Sequence, residues 1–212
     1  VGALHDPFHK IHMGITAENV AEQFGISRGM QDELATESHR RAAAAIAAGR
    51  FKDQIVPVMI KGRKGEVAFD TDEHVKADTT VETLGKMRAA FKKDGSVTAG
   101  NASGINDAAA AVVLAGGDAV KAQNLKPLAR LVGYAHTGVE PTIMGIGPVS
   151  ASRKVLARTG LSVADLDVIE SNEAFAAQAC AVVKELGLDP AKVNPNGSGI
   201  SLGHPIGATG AI

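Results

Sequence analysis

His204 sits in Asn194-Pro195-Asn196-Gly197-Ser198-Gly199-Ile200-Ser201-Leu202-Gly203-His204-Pro205-Ile206-Gly207, among glycines and between prolines. An imidazole held this way serves as acid, base or hydrogen-bond donor near neutral pH, because its ordinary pKa is about 6.5. The glycines let backbone approach a ligand and adopt positive φ. On its own, such a histidine could also be a satisfied structural residue. Asn172, in Glu170-Ser171-Asn172-Glu173-Ala174-Phe175-Ala176, tilts that judgement. It lies where a short strand is expected to give way to a helix, and ligand sites gather there in open α/β sheets. An imidazole N–H and a carboxamide aimed at one oxygen would stabilise negative charge growing on it; one such donor is worth about 2.7–4 kcal/mol.

Other residues invite chemistry and are set aside. Cys180 is the only thiol. It stands among Ala and Val on an apolar helix, whereas a reactive thiol needs an electropositive, partly exposed setting. His5, His9 and His12 would share a helical face as metal ligands, but Pro7 and Gly14 oppose a continuous helix, so no metal is expected. Gly197 to Gly203 resembles a dinucleotide fingerprint with its third glycine late and no acidic residue following at the required distance. Basic residues cluster at Lys61, Arg63 and Lys64 and again at Lys86, Arg88, Lys92 and Lys93, as a solvated surface or a cationic rim for phosphates.

The elements that must hold His204 and Asn172 follow from pattern. Thr16 to Phe24 reads as a helix closed by Gly25, and Ser27 as the N-cap of a longer one ending at Gly49. Glu37 and Arg41 would pair along its exposed face. Gln54 to Ile60 and Glu66 to Phe69 read as strands around a turn, and Ala108 to Ala115 and Pro127 to Tyr134 as buried strands. Gly147 to Arg158 is a predicted helix stopped by Gly160. Asp167 to Ser171 is a predicted strand, followed by a helix from Glu173 to Leu186, apolar almost all round and so buried. Strands alternating with helices give an α/β layered class.

Composition excludes several functions. The 212 residues carry a net charge of −1, so there is no global pull toward nucleic acid or a membrane surface. No apolar stretch nears the roughly 18 residues of a membrane span. One cysteine rules out an internal disulfide and fits a reducing cytoplasm. The chain has no initiator Met and no signal-peptide pattern, and it stops just past a Gly-rich loop, so it reads as a piece of a longer protein.

Five strings in order resemble the thiolase family: His12-Met13-Gly14-Ile15-Thr16-Ala17-Glu18-Asn19-Val20-Ala21, Val97-Thr98-Ala99-Gly100-Asn101-Ala102-Ser103-Gly104, Ile143-Met144-Gly145-Ile146-Gly147-Pro148, and the Asn172 and His204 strings. The opening Gly2-Ala3-Leu4-His5-Asp6-Pro7-Phe8-His9 and terminal Gly210-Ala211-Ile212 are similar to broad-specificity bacterial β-ketothiolases. The resemblance implies an acyl-CoA C-acetyltransferase: thiolysis of 3-ketoacyl-CoA, or Claisen condensation of two acyl-CoA molecules, through an acyl-cysteine. It implies that His204 activates that cysteine and donates to the thioester oxygen, and that Asn172 holds the water completing the oxyanion hole. Leu4, His12, Met13, Phe91, Ala99, Ser103, Met144, Ala174 and Phe175 match positions lining the acyl and pantetheine tunnel. Lys76 stands where many members carry an arginine near the adenine, which gives up planar stacking. The nucleophile's Cys-Gly-Ser-like string and the second cysteine's Cys-Ile-Gly-Gly-Gly-like string are both absent from the 212 residues, so this chain alone is expected to be inactive.

The implied fold is a five-layered αβαβα core with a helical lid. Residues 1–99 would be most of the lid, 100–125 the last part of the N-terminal half and 126–212 the first part of the C-terminal half. No cofactor is implied beyond acetyl-CoA, 3-ketoacyl-CoA and CoA as substrates, and the family's assembly is a homodimer or homotetramer. Two other readings stay open: a ketoacyl-synthase-like condensing enzyme, and a non-catalytic acyl-CoA or lipid-binding module that keeps the tunnel without the cysteines.

Overall fold

A computed structural model describes residues 2–63 and 65–212. Helix α1 (Met13–Phe24) starts where His12 Nδ1 accepts the Gly14 amide at 3.0 Å, and ends where Gly25 takes φ 64°. It begins three residues before the predicted start because His12 serves as its cap. Helix α2 (Arg28–Ala47) has Ser27 as N-cap, its Oγ accepting from the Met30 amide, and Gly49 follows its end at φ 70°. Glu37 pairs with Arg41 at 2.6 Å, as the spacing predicts.

The hairpin of β1 (Val58–Gly62) and β2 (Gly65–Phe69) is antiparallel, with Gly62 opposite Gly65. It starts later than Gln54 because Pro57 has no N–H to donate and residues before it complete a turn. Lys64, in the basic cluster, lies outside the described residues. Short helices α3 (Val81–Gly85) and α4 (Gly117–Ala122) follow, the first closed by a Thr80–Thr83 capping box.

Helix α5 (Gly147–Thr159) ends at Gly160, φ 70°. Helix α6 (Ala176–Leu186) is the hub, packed by α1, α2 and α5. Its buried face is largely alanine, which lets neighbours approach closely, and Ala177, Ala181 and Val182 join Val20, Ile26 and Val97 in the main core. A second cluster joins Ala35 of α2 and Leu84 of α3 to Ala176 and Ile200. Helix α6 begins at Ala176 rather than Glu173, because Phe175 is extended (φ −141°, ψ 141°) and bridges to Ala102. The last helix, α7 (Gly199–Leu202), leads into His204.

The strands predicted at 108–115 and 127–134 do not form. Both runs lack regular structure and lie exposed: Val113 is 97 % and Leu128 105 % accessible. Strand amides need a neighbouring strand, and among the described residues β1 and β2 pair only with each other. The strand at 167–171 shrinks to one parallel bridge, Ile169 to Val193.

Candidate active site

A cavity of about 580 Å³ opens between the start of α1, the 102–105 segment, the 141–146 turn and the loops bearing Asn172 and His204. Leu4, His12, Met13, Phe91, Ser103, Met144, Ala174 and Phe175 line it together with Asn172 and His204. The fold therefore brings to one wall residues scattered from 4 to 204. Apolar side chains dominate the lining and the polar groups are few, as suits a largely apolar ligand. Phe91 stacks on the His12 ring (4.8 Å between centroids) and meets Phe175 edge-on at 6.0 Å.

Two expected residues lie elsewhere. Ala99 is exposed in a tight turn, because Thr98 Oγ1 accepts the Gly100 amide and Asn101 Oδ1 the Thr98 amide, turning the intervening residue outward. Lys76 is exposed too; its amide donates to His39 Nδ1 of α2 at 3.1 Å, which fixes its backbone away from the cavity. The basic clusters are partly spent on neighbours, Lys86 with Glu82 at 2.9 Å and Lys92 with Glu22 at 3.3 Å.

His204 is held from both sides. Its amide donates to Asn106 Oδ1 at 3.1 Å, and a Cβ on Gly203 would come within 2.5 Å of that same oxygen, so glycine is required there. Its Nδ1 lies 2.8 Å from Thr209 Oγ1, whose own hydrogen goes to Pro205 O at 3.0 Å. Thr209 thus accepts, Nδ1 carries the proton, and Nε2 carries the lone pair. Burial holds the His204 pKa below the ordinary imidazole value, which favours this neutral form. Asn172 packs against the glycine string: a Cβ on Gly199 would meet Asn172 Oδ1 at 2.6 Å.

Asn106 and Thr209 were not singled out from sequence. Thr209 follows His204 by five residues, and that proximity was the available signal. Asn106 lies 98 positions upstream, and the parallel bridge of Ile105 to His204 brings it within hydrogen-bond reach.

Cys180 is half-buried, with Sγ 3.6 Å from Met30 O, beside a second hollow of about 450 Å³ rather than the cavity. Burial, then Glu173 and Glu33, push its thiol up to about 12, so it stays protonated. His5 and His12 face each other across an antiparallel bridge, rings edge-on at 5.2 Å, while His9 approaches Glu140 at 3.4 Å. Among the described residues no group of three His, Cys, Asp or Glu is arranged to hold a metal.

The thiolase N-terminal domain model matches residues 1–118 and the thiolase C-terminal domain model residues 125–212. The chain belongs to the thiolase family. It is 70 % identical to β-ketothiolase BktB of Cupriavidus necator, over 100 % of this chain and 54 % of that protein. It is 59 % identical to an acetyl-CoA acetyltransferase of Chromobacterium violaceum, over 98 % of this chain and 53 % of that one. The Bacillus anthracis acetyl-CoA acetyltransferase structure superposes with TM-score 0.93 at 57 % identity, covering 99 % of this chain and 53 % of that chain. The α/β thiolase fold is thereby shown, and the chain spans about half the length of these thiolase relatives.

Proposed function

We propose that this chain supplies the His204 and Asn172 side of the active site of an acyl-CoA C-acetyltransferase, a β-ketothiolase acting on 3-ketoacyl-CoA or condensing acyl-CoA units. The observation that carries the reading is the placement of His204 and Asn172 on the wall of one apolar cavity, with His204 Nε2 available as a base. In the whole protein Nε2 takes the proton of the nucleophilic thiol. The new Nε2–H then donates to the thioester oxygen as charge develops, while Asn172 aligns a water as the second donor. Names of relatives support the substrate class, including a human mitochondrial 3-ketoacyl-CoA thiolase in complex with CoA, 44 % identical over 99 % of this chain. The chemistry needs no group beyond CoA thioesters. A homo-oligomer in the cytoplasm completes the proposal; among the described residues no helix is long and apolar enough to cross a membrane.

Acetoacetyl-CoA thiolysis by the whole protein tests this. His204→Ala should lower kcat by about 10³-fold or more, and Asn172→Ala by roughly 10- to 100-fold because a water can relocate. Near wild-type turnover in His204→Ala sinks the assignment. The 212-residue chain alone should consume no substrate. Turnover by the chain alone would point to Cys180 or another nucleophile.

A further inference from the structure

Behind the cavity wall lies a polar network of Glu173, Asn194, Ser38 and Ser201, none of which lines the cavity. Glu173 follows Asn172, is 4 % exposed, and faces the second hollow, not the cavity. Its Oε2 accepts from Ser38 Oγ at 2.6 Å and from the Ile200 amide at 3.4 Å; its Oε1 accepts from Asn194 Nδ2 at 3.2 Å. Asn194, at φ 48°, also grips both backbone groups of Ser171: Nδ2 donates to Ser171 O at 2.7 Å and Oδ1 accepts the Ser171 amide at 2.8 Å. Ser38 Oγ in turn meets Ser201 Oγ at 2.8 Å.

The residues on both sides of Asn172 are therefore fixed. The groups that fix them come from α2, from the 194 corner and from α7, whose far end leads into His204. A carboxylate buried among small side chains is costly, and well-packed apolar groups would serve packing alone at least as well. What the carboxylate adds is direction: it accepts from three segments at once and holds their spacing.

We propose that Glu173 is a positioning residue, its carboxylate setting the separation of Asn172 and His204 and tying both strings to α2. This rests on the thiolysis reading above. In Glu173→Gln, an amide nitrogen must face either Asn194 Nδ2 or the Ile200 amide, donor against donor, and in the second case Ser38 must also turn its hydroxyl from Glu173 to Ser201. Because Glu173 does not line the cavity, the loss should fall on kcat, about 100-fold, with KM for acetoacetyl-CoA held within about twofold.

The test is a double-mutant cycle in the whole protein with Asn172→Ala. If Glu173 acts through Asn172, Glu173→Gln costs much less on the Asn172→Ala background than on wild type. A purely structural role lowers kcat by the same factor on both backgrounds, and that result overturns the proposal, as does an unchanged kcat or a loss carried by KM. Should Glu173→Gln fail to fold, Ser38→Ala takes its place in the cycle, with the same non-additivity required at a loss of roughly 10-fold. Absence of thiolysis in the wild type defeats the functional reading itself, which separates that failure from this one.

Discussion

Thr209 has one hydroxyl hydrogen, and its direction decides which nitrogen of His204 is basic. With that hydrogen on Pro205 O, Nδ1–H must donate to Oγ1, and Nε2 is left to act on the substrate side. Thr209→Val removes the acceptor, so the Nδ1–H tautomer loses its stabilisation and the ring its orientation. In the whole protein kcat for thiolysis should fall about 10- to 100-fold. Thr209→Ser, which keeps the hydroxyl, should recover most of it. A Val variant as active as the Ser variant would show that the contact does not hold the tautomer. Burial acts in the same direction on the free enzyme, keeping the His204 base neutral to lower pH than an exposed imidazole.

Helix α1 shows how an element and a site residue share one atom. His12 Nδ1 caps the helix by accepting the Gly14 amide, while its ring lines the cavity and stacks on Phe91. Capping requires the lone pair, so protonation removes it. Burial, and then His5, lower the His12 pKa; burial, and then His74 and Lys76 against Asp78, lower that of His39, whose Nδ1 likewise accepts an amide. A histidine with a depressed folded pKa contributes stability that is full above the ordinary value of about 6.5 and is lost as pH falls through the folded pKa. Desolvation raises the pKa of Glu170 and of buried Glu173, and both work the other way as pH falls, so the difference between variants is the cleaner measure. Between about pH 7.5 and 5.5 the urea midpoint of this chain should drop more than that of His12→Asn, whose amide oxygen caps without titrating. An equal drop in both would remove His12 as a cause. Helices such as α1, α2 and α5 were legible in sequence because their caps and αL glycines are local signals, and each is realised at Gly25, Ser27 or Gly160. His204 and Asn172 were legible because their strings resemble a known family's. The Glu173 network was not, because Ser38 lies 135 positions from Glu173 and no local pattern joins them.

At the scale of the molecule, the apolar residues that find no partner matter as much as those that do. Val112, Val113 and Leu114 form one exposed run, and Leu128, Leu131, Val132 and Tyr134 another, each read from sequence as a buried strand. Neither strand nor burial is realised, since both depend on neighbouring strands that composition does not reveal. Both runs are β-prone and apolar, and their backbone groups have no sheet partner among the described residues. Such a segment pairs with whatever edge it meets, and for a chain in isolation the available edge is another copy. The 212-residue chain should therefore self-associate on raising its concentration through the micromolar range, and bind a dye that reports exposed apolar surface. Val113→Lys with Leu131→Lys places a charge in the middle of each run, away from the core around α6 and from the cavity. The double variant should stay monomeric in light scattering at concentrations where the parent chain does not, with its helical circular dichroism retained. If both chains associate alike, the two runs are not the sticky surface. If the parent chain stays monomeric and dye-free, their exposure does not govern its behaviour in solution.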